Sequence, residues 1–394
     1  MSRVITTSAE LATFCATFVA ERYITVDTEF IRERTYFPQL CLLQVATSKE
    51  AVAIDPLAPG IDLAPLYAAF ANEALLKVFH AAKQDIEIFV HDAGKVPHPL
   101  YDTQVAAMVC GFGESASYET LVRELAHAKL DKASRFTDWA KRPLSDRQLL
   151  YALDDVIHLR TVFEKLEARI EREGRAEWIH EEMEELSDVR LYKADTARAW
   201  LRLKMRTRSA EILQALRAAA AWREEQAIRK NVPRQRILKD EWVAQVATQL
   251  PNTPEQLQDV RGIHGQLSKD MSASLIEAMN NARAEPRETW PEPEDRYKPM
   301  PAAQEACFDQ LRLLLRQCCE ESHVVPRLVA DKEELEDLVR GRVPFEKSHI
   351  GHGWRYAVFG EKARGLLDGK LSAHVAPYKG GYGLIWSEAE KQSA

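Results

Sequence analysis

Near the start of this 394-residue chain an apolar, β-prone run, Ile24-Thr25-Val26, leads directly into Asp27-Thr28-Glu29-Phe30. Residues two apart on a strand point to the same side. Asp27 and Glu29 therefore project together from what reads as a rigid, buried strand. Two like charges held that close repel, and a cation between them relieves the repulsion. Hard oxygen donors in such a pair suit Mg²⁺ or Mn²⁺ better than zinc. The segment calls for a scaffold that keeps one strand rigid and brings further oxygen ligands to its end.

The length allows two or three domains and a sizeable core. Hydrophobic residues make up 46% and charged residues 29%, a balance that fits a soluble globular chain. No apolar run approaches the roughly 20 residues a membrane helix needs, so no membrane partner is expected. The first residues, Met1-Ser2-Arg3-Val4-Ile5, lack the long apolar stretch of a signal peptide. The six cysteines show no Cys-x-x-Cys spacing and no partnering histidine pattern. They read as buried or surface thiols in a reducing compartment, and the expected location is the cytoplasm. Net charge is −7, which argues against a general nucleic-acid binder, but the charge is uneven. Between Arg198 and Lys239 there are twelve Lys or Arg against three Glu.

Residues 1 to about 170 read as α/β. Strands are expected at Tyr23–Val26, Leu40–Ala46, Ala51–Ile54 and Leu76–Phe79, with Thr47-Ser48-Lys49-Glu50 as a turn. Helical patterns follow at Leu63–Ala71, at Lys83–Ala93 with Gly94 as its stop, at Thr103–Val109, at Tyr118–Ala126, and from Ser145 to about Arg172. Ser145 and Gln148 have the spacing of a capping box. Early antiparallel strands followed by alternating helices imply a mixed sheet flanked by helices. An acidic, helix-prone stretch covers 164–188, and five prolines among charges mark 285–301 as a linker.

Further ligands are available. Asp85 falls just inside a helix that follows a strand, where it aims back toward the strand end. Tyr151 and Asp155 are four apart on a helical pattern and share a face, with Asp154 rotated off it by about 100°.

Asp27-x-Glu29, then Asp85, then Tyr151-x-x-x-Asp155 resembles the three motifs of the DEDD 3′→5′ exonuclease superfamily in its tyrosine-containing branch. Val26-Asp27-Thr28-Glu29-Phe30, Tyr36-Phe37-Pro38-x-Leu40-x-Leu42-x-Gln44 and Asp138-Trp139-x-x-Arg142-Pro143-Leu144 are similar to the ribonuclease D family within it. Leu216-x5-Trp222-Arg223, Asn231-Val232-Pro233-Arg234, Pro251-x-Thr253-x-Glu255-x-Leu257 and Val260-Arg261-Gly262-Ile263 resemble the helicase-and-ribonuclease-D C-terminal (HRDC) domain.

The resemblance implies a ribonuclease H-like α/β exonuclease domain followed by one or two all-α HRDC-type domains. The expected boundaries are 1–172 for the exonuclease domain, 173–205 for a helical connector, 206–285 for the HRDC domain and 286–301 for the linker. A second HRDC-like domain is expected over 302–375, then a loosely ordered tail over 376–394. The implied cofactors are two Mg²⁺ or Mn²⁺ ions per active site, about 4 Å apart, clamping the scissile phosphate. Asp27 would touch both ions, Glu29 and Asp155 would hold the nucleophile-side ion, and Asp85 would help place the second. Tyr151 would orient the attacking water. Its phenol, with a reference pKa near 10, is a poor base at neutral pH, so the metal would supply most of the activation. The implied activity is 3′→5′ exoribonuclease trimming of structured RNA, with tRNA-precursor 3′ ends as the partner, by a monomer. A 3′→5′ DNA exonuclease and a non-catalytic RNA-binding protein on the same fold are the competing readings.

An exonuclease must hold a polyanion, and phosphate contacts supply most sequence-independent affinity. Arg217, Arg223, Arg229, Lys230, Arg234 and Arg236 are the candidate RNA contacts. Other residues read as structural: His80 as a hydrogen-bonded loop histidine, Asp102 and Gln104 as a helix cap, Gln44 as a buried hydrogen-bonding residue, Asp154 as solvent-facing, Trp222 as core. His158 follows Asp155 by three, but Tyr151 occupies the position that defines the branch.

Overall fold

The computed structural model describes residues 3–131, 137–292 and 299–388. The first part is built on β1 (Arg3–Ile5), α1 (Ser8–Ala16), β2 (Tyr23–Ile31), β3 (Gln39–Ala46), β4 (Ala51–Ile54), α2 (Ala64–Phe70), β5 (Leu76–Phe79), α3 (Lys83–Ala93), β6 (Leu100–Asp102), α4 (Thr103–Val109), α5 (Tyr118–Leu121) and α6 (Asp146–Arg172). The sheet has six strands in the order β1-β4-β3-β2-β5-β6. β2 pairs antiparallel with β3 on one side and parallel with β5 on the other. It is thus a central strand, hydrogen-bonded along both edges, and its apolar first half is buried. An irregularity in the β2–β3 register falls between Glu29 and Phe30. Such a bulge increases local twist and re-aims side chains.

α6 is the long helix that crosses this sheet. Ser145 opens it with the full capping box: the Ser145 hydroxyl accepts from the Gln148 backbone, and the Gln148 side chain accepts from the Ser145 backbone. Its apolar stripe, including Val156, Leu159, Val162 and Phe163, is buried. The Thr25 hydroxyl on β2 donates to the Val156 carbonyl at 2.8 Å and fixes the two elements in register. Two short edge strands, β1 and β6, were not legible as strands, because three residues carry too little periodicity.

α7 (Ala176–Leu186) continues the acidic stretch. The expected helical connector ends there. Asp188 accepts from the Arg190 backbone and starts a short 3₁₀ turn at Val189–Tyr192, and a second turn covers Ala199–Arg202. α8 (Ala210–Lys230), α9 (Arg234–Ile237), α10 (Asp240–Gln249), α11 (Pro254–Asp259) and α12 (Lys269–Ala284) pack around a second core that includes Leu216, Trp222, Val246 and Leu275. Tyr36, from the loop that leaves β2, is buried in this second core. Its hydroxyl donates to Glu224 at 2.5 Å, and the Tyr36 and Phe37 backbone N–H groups donate to Asn231.

α13 (Ala302–Glu321), α14 (Pro326–Val329), α15 (Lys332–Val339) and a helical run over 353–367 enclose a third core. It docks on α7 through stacked rings of Trp178 and Trp354, 4.5 Å apart. The expected loose tail is corrected here. β7 (Leu371–Tyr378) and β8 (Gly381–Glu388) form an antiparallel hairpin that crosses the boundary placed at 375. Lys379 and Gly380 both have positive φ, 40° and 82°, the backbone of a two-residue turn matched to strand twist. The Trp386 indole donates to Gln317 at 3.0 Å and anchors the base. Gly380 makes the turn, and Gly381 and Gly383 lie on β8. Residues 389–394 of that expected tail lie outside the described residues.

Candidate active site

Asp27, Glu29 and Asp155 each offer a carboxylate oxygen, and these oxygens lie within 4.8 Å of one another. Strand alternation puts the first two on one side of β2, and the β2–α6 register brings the third against them. All three are half-buried. Tyr151 stands one helical turn before Asp155. It lines the same cavity of about 400 Å³, together with His80 and Tyr118. The Trp139 ring lies 6.1 Å from that of Tyr151 and backs it on the buried side.

Asp85 is placed differently. It is buried in the first turn of α3 and accepts a short hydrogen bond from the Thr28 hydroxyl. Thr28 faces the side of β2 opposite to Asp27 and Glu29. Asp85 thus bonds the strand between the two acids and is not one of the three carboxylates that converge within 4.8 Å. It remains within electrostatic reach. Burial and then the Asp27 charge push its carboxyl well above the usual range, against the Thr28 hydroxyl. Burial likewise raises Asp27 to about 7, opposed by the Thr28 backbone N–H. Acids that resist ionisation so strongly become carboxylates readily only beside positive charge. The donor set contains oxygen alone, which fits a hard divalent cation.

Tyr118 was not singled out from the sequence. Its hydroxyl donates to the Asp155 carbonyl at 2.5 Å and the Asp154 carbonyl at 3.3 Å, from 37 and 36 residues away. Burial and the charges of Asp155 and Asp27 hold the phenol far from ionisation. No local pattern marks such a contact; the only nearby signal is Ser117, which caps α5. His80 Nδ1 lies 3.0 Å from the Thr103 hydroxyl, which itself donates to the Phe79 carbonyl. That places the proton on Nδ1, and burial lowers the imidazole pKa despite Asp102. Asp102 caps α4 through the Gln104 backbone N–H and also accepts from Ala81 and Ala82, bracing the turn into α3.

Three expectations need correction. Gln44 is fully buried and directly opposite Asp27 on β3, yet neither amide atom has a hydrogen-bond partner among the described residues. Arg223 is 2% exposed, with its guanidinium spent on the Leu238 carbonyl and Asp240. It cannot meet RNA. Asp154 is half-buried, its carboxyl raised by that burial. Trp222 is core, with its indole donating to Ser274. Of the other candidate RNA contacts, Arg217 pairs with Glu285 at 2.6 Å, Arg234 with Glu224 at 3.2 Å, and Arg229 bonds Gln226. Lys230 reaches Met271 while remaining exposed, and Arg236 is exposed.

Comparison with known proteins adds to this geometry. A family described as "3'-5' exonuclease" matches residues 2–171, and the HRDC domain family matches residues 211–279. The chain is 44% identical over 387 residues to "Ribonuclease D" of Zymomonas mobilis, covering 98% of this chain and 99% of the other. It is 44% identical to "Ribonuclease D" of Gluconacetobacter diazotrophicus, covering 93% of each. Its structure is similar to that of Escherichia coli RNase D, described as "an exoribonuclease involved in structured RNA processing". The TM-score is 0.81 at 29% identity, over 93% of this chain and 99% of that one.

Proposed function

Because this chain belongs to the ribonuclease D family and is a 3′→5′ exoribonuclease, we propose that it trims the 3′ ends of structured RNA, with tRNA precursors as the substrate class, by two-metal-ion hydrolysis that releases nucleoside 5′-monophosphates. The observation that carries this reading is the convergence of Asp27, Glu29 and Asp155 within 4.8 Å. Asp27, Glu29 and Asp155, with Asp85 behind Thr28, would hold the divalent ions, Mg²⁺ or Mn²⁺. Bound there, the ions would supply Lewis-acid polarisation of the scissile phosphate and a water activated at neutral pH.

The chain's own groups do the positioning. Tyr151, beside Asp155 on α6, presents a hydroxyl to the cavity, where it orients water by hydrogen bonding and leaves proton removal to stronger bases. Tyr118 holds the backbone of Asp155 and so fixes where that carboxylate points. Burial disfavours the charged form of His80, which lines the cavity. Thr28 fixes Asp85, and the strand alternation keeps Asp27 and Glu29 aimed together. The cavity volume is in the range of sites that enclose one small-molecule unit, in keeping with removal of one terminal nucleotide at a time. Among the described residues no helix is long and apolar enough to cross a membrane. The substrate is proposed to meet a cytoplasmic monomer.

The test uses a 5′-labelled tRNA precursor carrying a 3′ trailer, with Mg²⁺, with Mn²⁺ and with EDTA. The expected result is a ladder shortening from the 3′ end, mononucleotide product, and arrest by EDTA. A parallel all-deoxyribose oligomer should be degraded more slowly. Internal cleavage, or hydrolysis that survives EDTA, would contradict the proposal.

A further inference from the structure

The basic stretch looks different once its side chains are placed. The arginines on α8 and α9 are largely engaged within the protein, as described above. The preceding segment presents its cations to solvent instead. Between Asp195 and Glu211 the chain has five cations, Arg198, Arg202, Lys204, Arg206 and Arg208, and no acid. All five are exposed. Their neighbours Ala199, Trp200, Leu203 and Met205 pack into the second core. From Leu203 to Arg208 the exposure alternates residue by residue: Leu203, Met205 and Thr207 turn inward, Lys204, Arg206 and Arg208 outward. The backbone is extended at Leu203 and Ser209, and residues 203–209, between the Ala199–Arg202 turn and α8, are not helical. Among the described residues, Arg198, Lys204 and Arg208 form no ion pair.

This is a strip held in place by its apolar side. Its cations cannot be drawn inward without unpacking the core. The segment also joins two parts of the molecule. Arg202 pairs with Glu224 at 3.1 Å, and Glu224 takes the hydroxyl of Tyr36 from the loop that leaves the catalytic strand. The other end runs into Ser209, the cap of α8. A charge run on a mobile tail would be an ordinary solvated feature. One anchored on a core, free of acids over fifteen residues and leading from the catalytic domain to the helical one is built for a polyanion.

We propose that the strip Arg198–Arg208 is a phosphate-binding rail for the single-stranded part of the RNA substrate, used in addition to the contacts at the catalytic cavity. The inference rests on the exoribonuclease reading for its ligand, an RNA backbone. It assigns sequence-independent affinity to the connector, where no base is read. A dinucleotide that fills the cavity is too short to use it; a long 3′ tail is not.

The experiment compares the full-length protein with its K204Q/R206Q/R208Q variant. Equilibrium binding of a long single-stranded oligoribonucleotide is measured in EDTA over a range of salt. Each lost phosphate contact on a single strand lowers the slope of log affinity against log salt by about 0.7, so the variant should lose about two units of slope. In Mg²⁺, the ratio of kcat/KM on the long RNA to that on a dinucleotide should fall about tenfold or more. A K204R/R206K/R208K variant, which keeps the charge, should restore both. A variant with an unchanged melting temperature, salt slope and length ratio would overturn the rail. Should the triple variant fail to fold, the three single glutamine variants decide: each should lose about 0.7 of slope, and none losing any would overturn it. Wild-type protein that binds RNA but does not hydrolyse it would defeat the exoribonuclease reading, while the salt slope still decides the rail.

Discussion

Asp155 is held at both its ends. Its carboxylate joins Asp27 and Glu29, and its backbone carbonyl receives the Tyr118 hydroxyl. Removing that hydroxyl alone tests whether the backbone hold matters. Tyr118→Phe keeps the ring and loses a hydrogen bond of about 1 kcal/mol. The expected effect is a several-fold fall in kcat on a dinucleotide with KM little changed, read by steady-state kinetics at saturating Mg²⁺. An unchanged kcat would show that Asp155 is positioned by its helix alone. At this scale the sequence is informative where function depends on local spacing. Asp27 and Glu29 are two apart on a strand, and Tyr151 and Asp155 four apart on a helix, so each pair's direction follows from backbone geometry. Tyr118, Gln44 and Arg223 carry no such signal. Their environments come from segments far away in the chain, and nothing local distinguishes a buried arginine from an exposed one. Asp85 is intermediate: its place early in α3 was legible, but its hydrogen bond from the Thr28 hydroxyl was not.

α6 carries two of the site residues in its first three turns, so its start matters more than its length. The capping box at Ser145 and Gln148 satisfies the first orphan N–H groups there. Ser145→Ala should destabilise the protein by about 1 kcal/mol, measured as a lower midpoint in urea unfolding. Loss of activity beyond that expected from unfolded protein would mean that fraying of α6 reaches Tyr151. An unchanged midpoint would show that packing under Leu149 and Leu153 holds the helix start without its cap. Capping and periodicity made α3, α4 and α6 legible. The same reasoning failed for β1 and β6, three-residue edge strands, and for β7 and β8. In that hairpin Lys379-Gly380 is a turn and Trp386 an anchor, but the surrounding glycines suppress any strand pattern.

At the scale of the molecule, the second and third cores are each joined to the catalytic part by specific contacts. Tyr36 carries the loop after Glu29 into the second core, where Glu224 also gathers Arg202 and Arg234. Phe37, its neighbour, stacks on His91 of α3 at 3.8 Å, so the same loop also contacts the helix that presents Asp85. On the other side Arg175 donates to the Ser322 carbonyl at 2.6 Å, and Trp178 stacks on Trp354, tying α7 to the third core. Both helical domains are therefore tied to the catalytic part by named contacts, and the basic connector runs between the catalytic domain and the first of them. All of this serves three converging carboxylates, and the most direct test of them is single-turnover hydrolysis of a 3′-extended RNA by Asp155→Asn in saturating Mn²⁺. The variant should melt with the wild-type protein and lose rate by more than about a hundredfold, the upper end of the cost of losing a mere supporting partner of a metal ligand. A folded Asp155→Asn protein that releases mononucleotides at the wild-type rate would contradict the account.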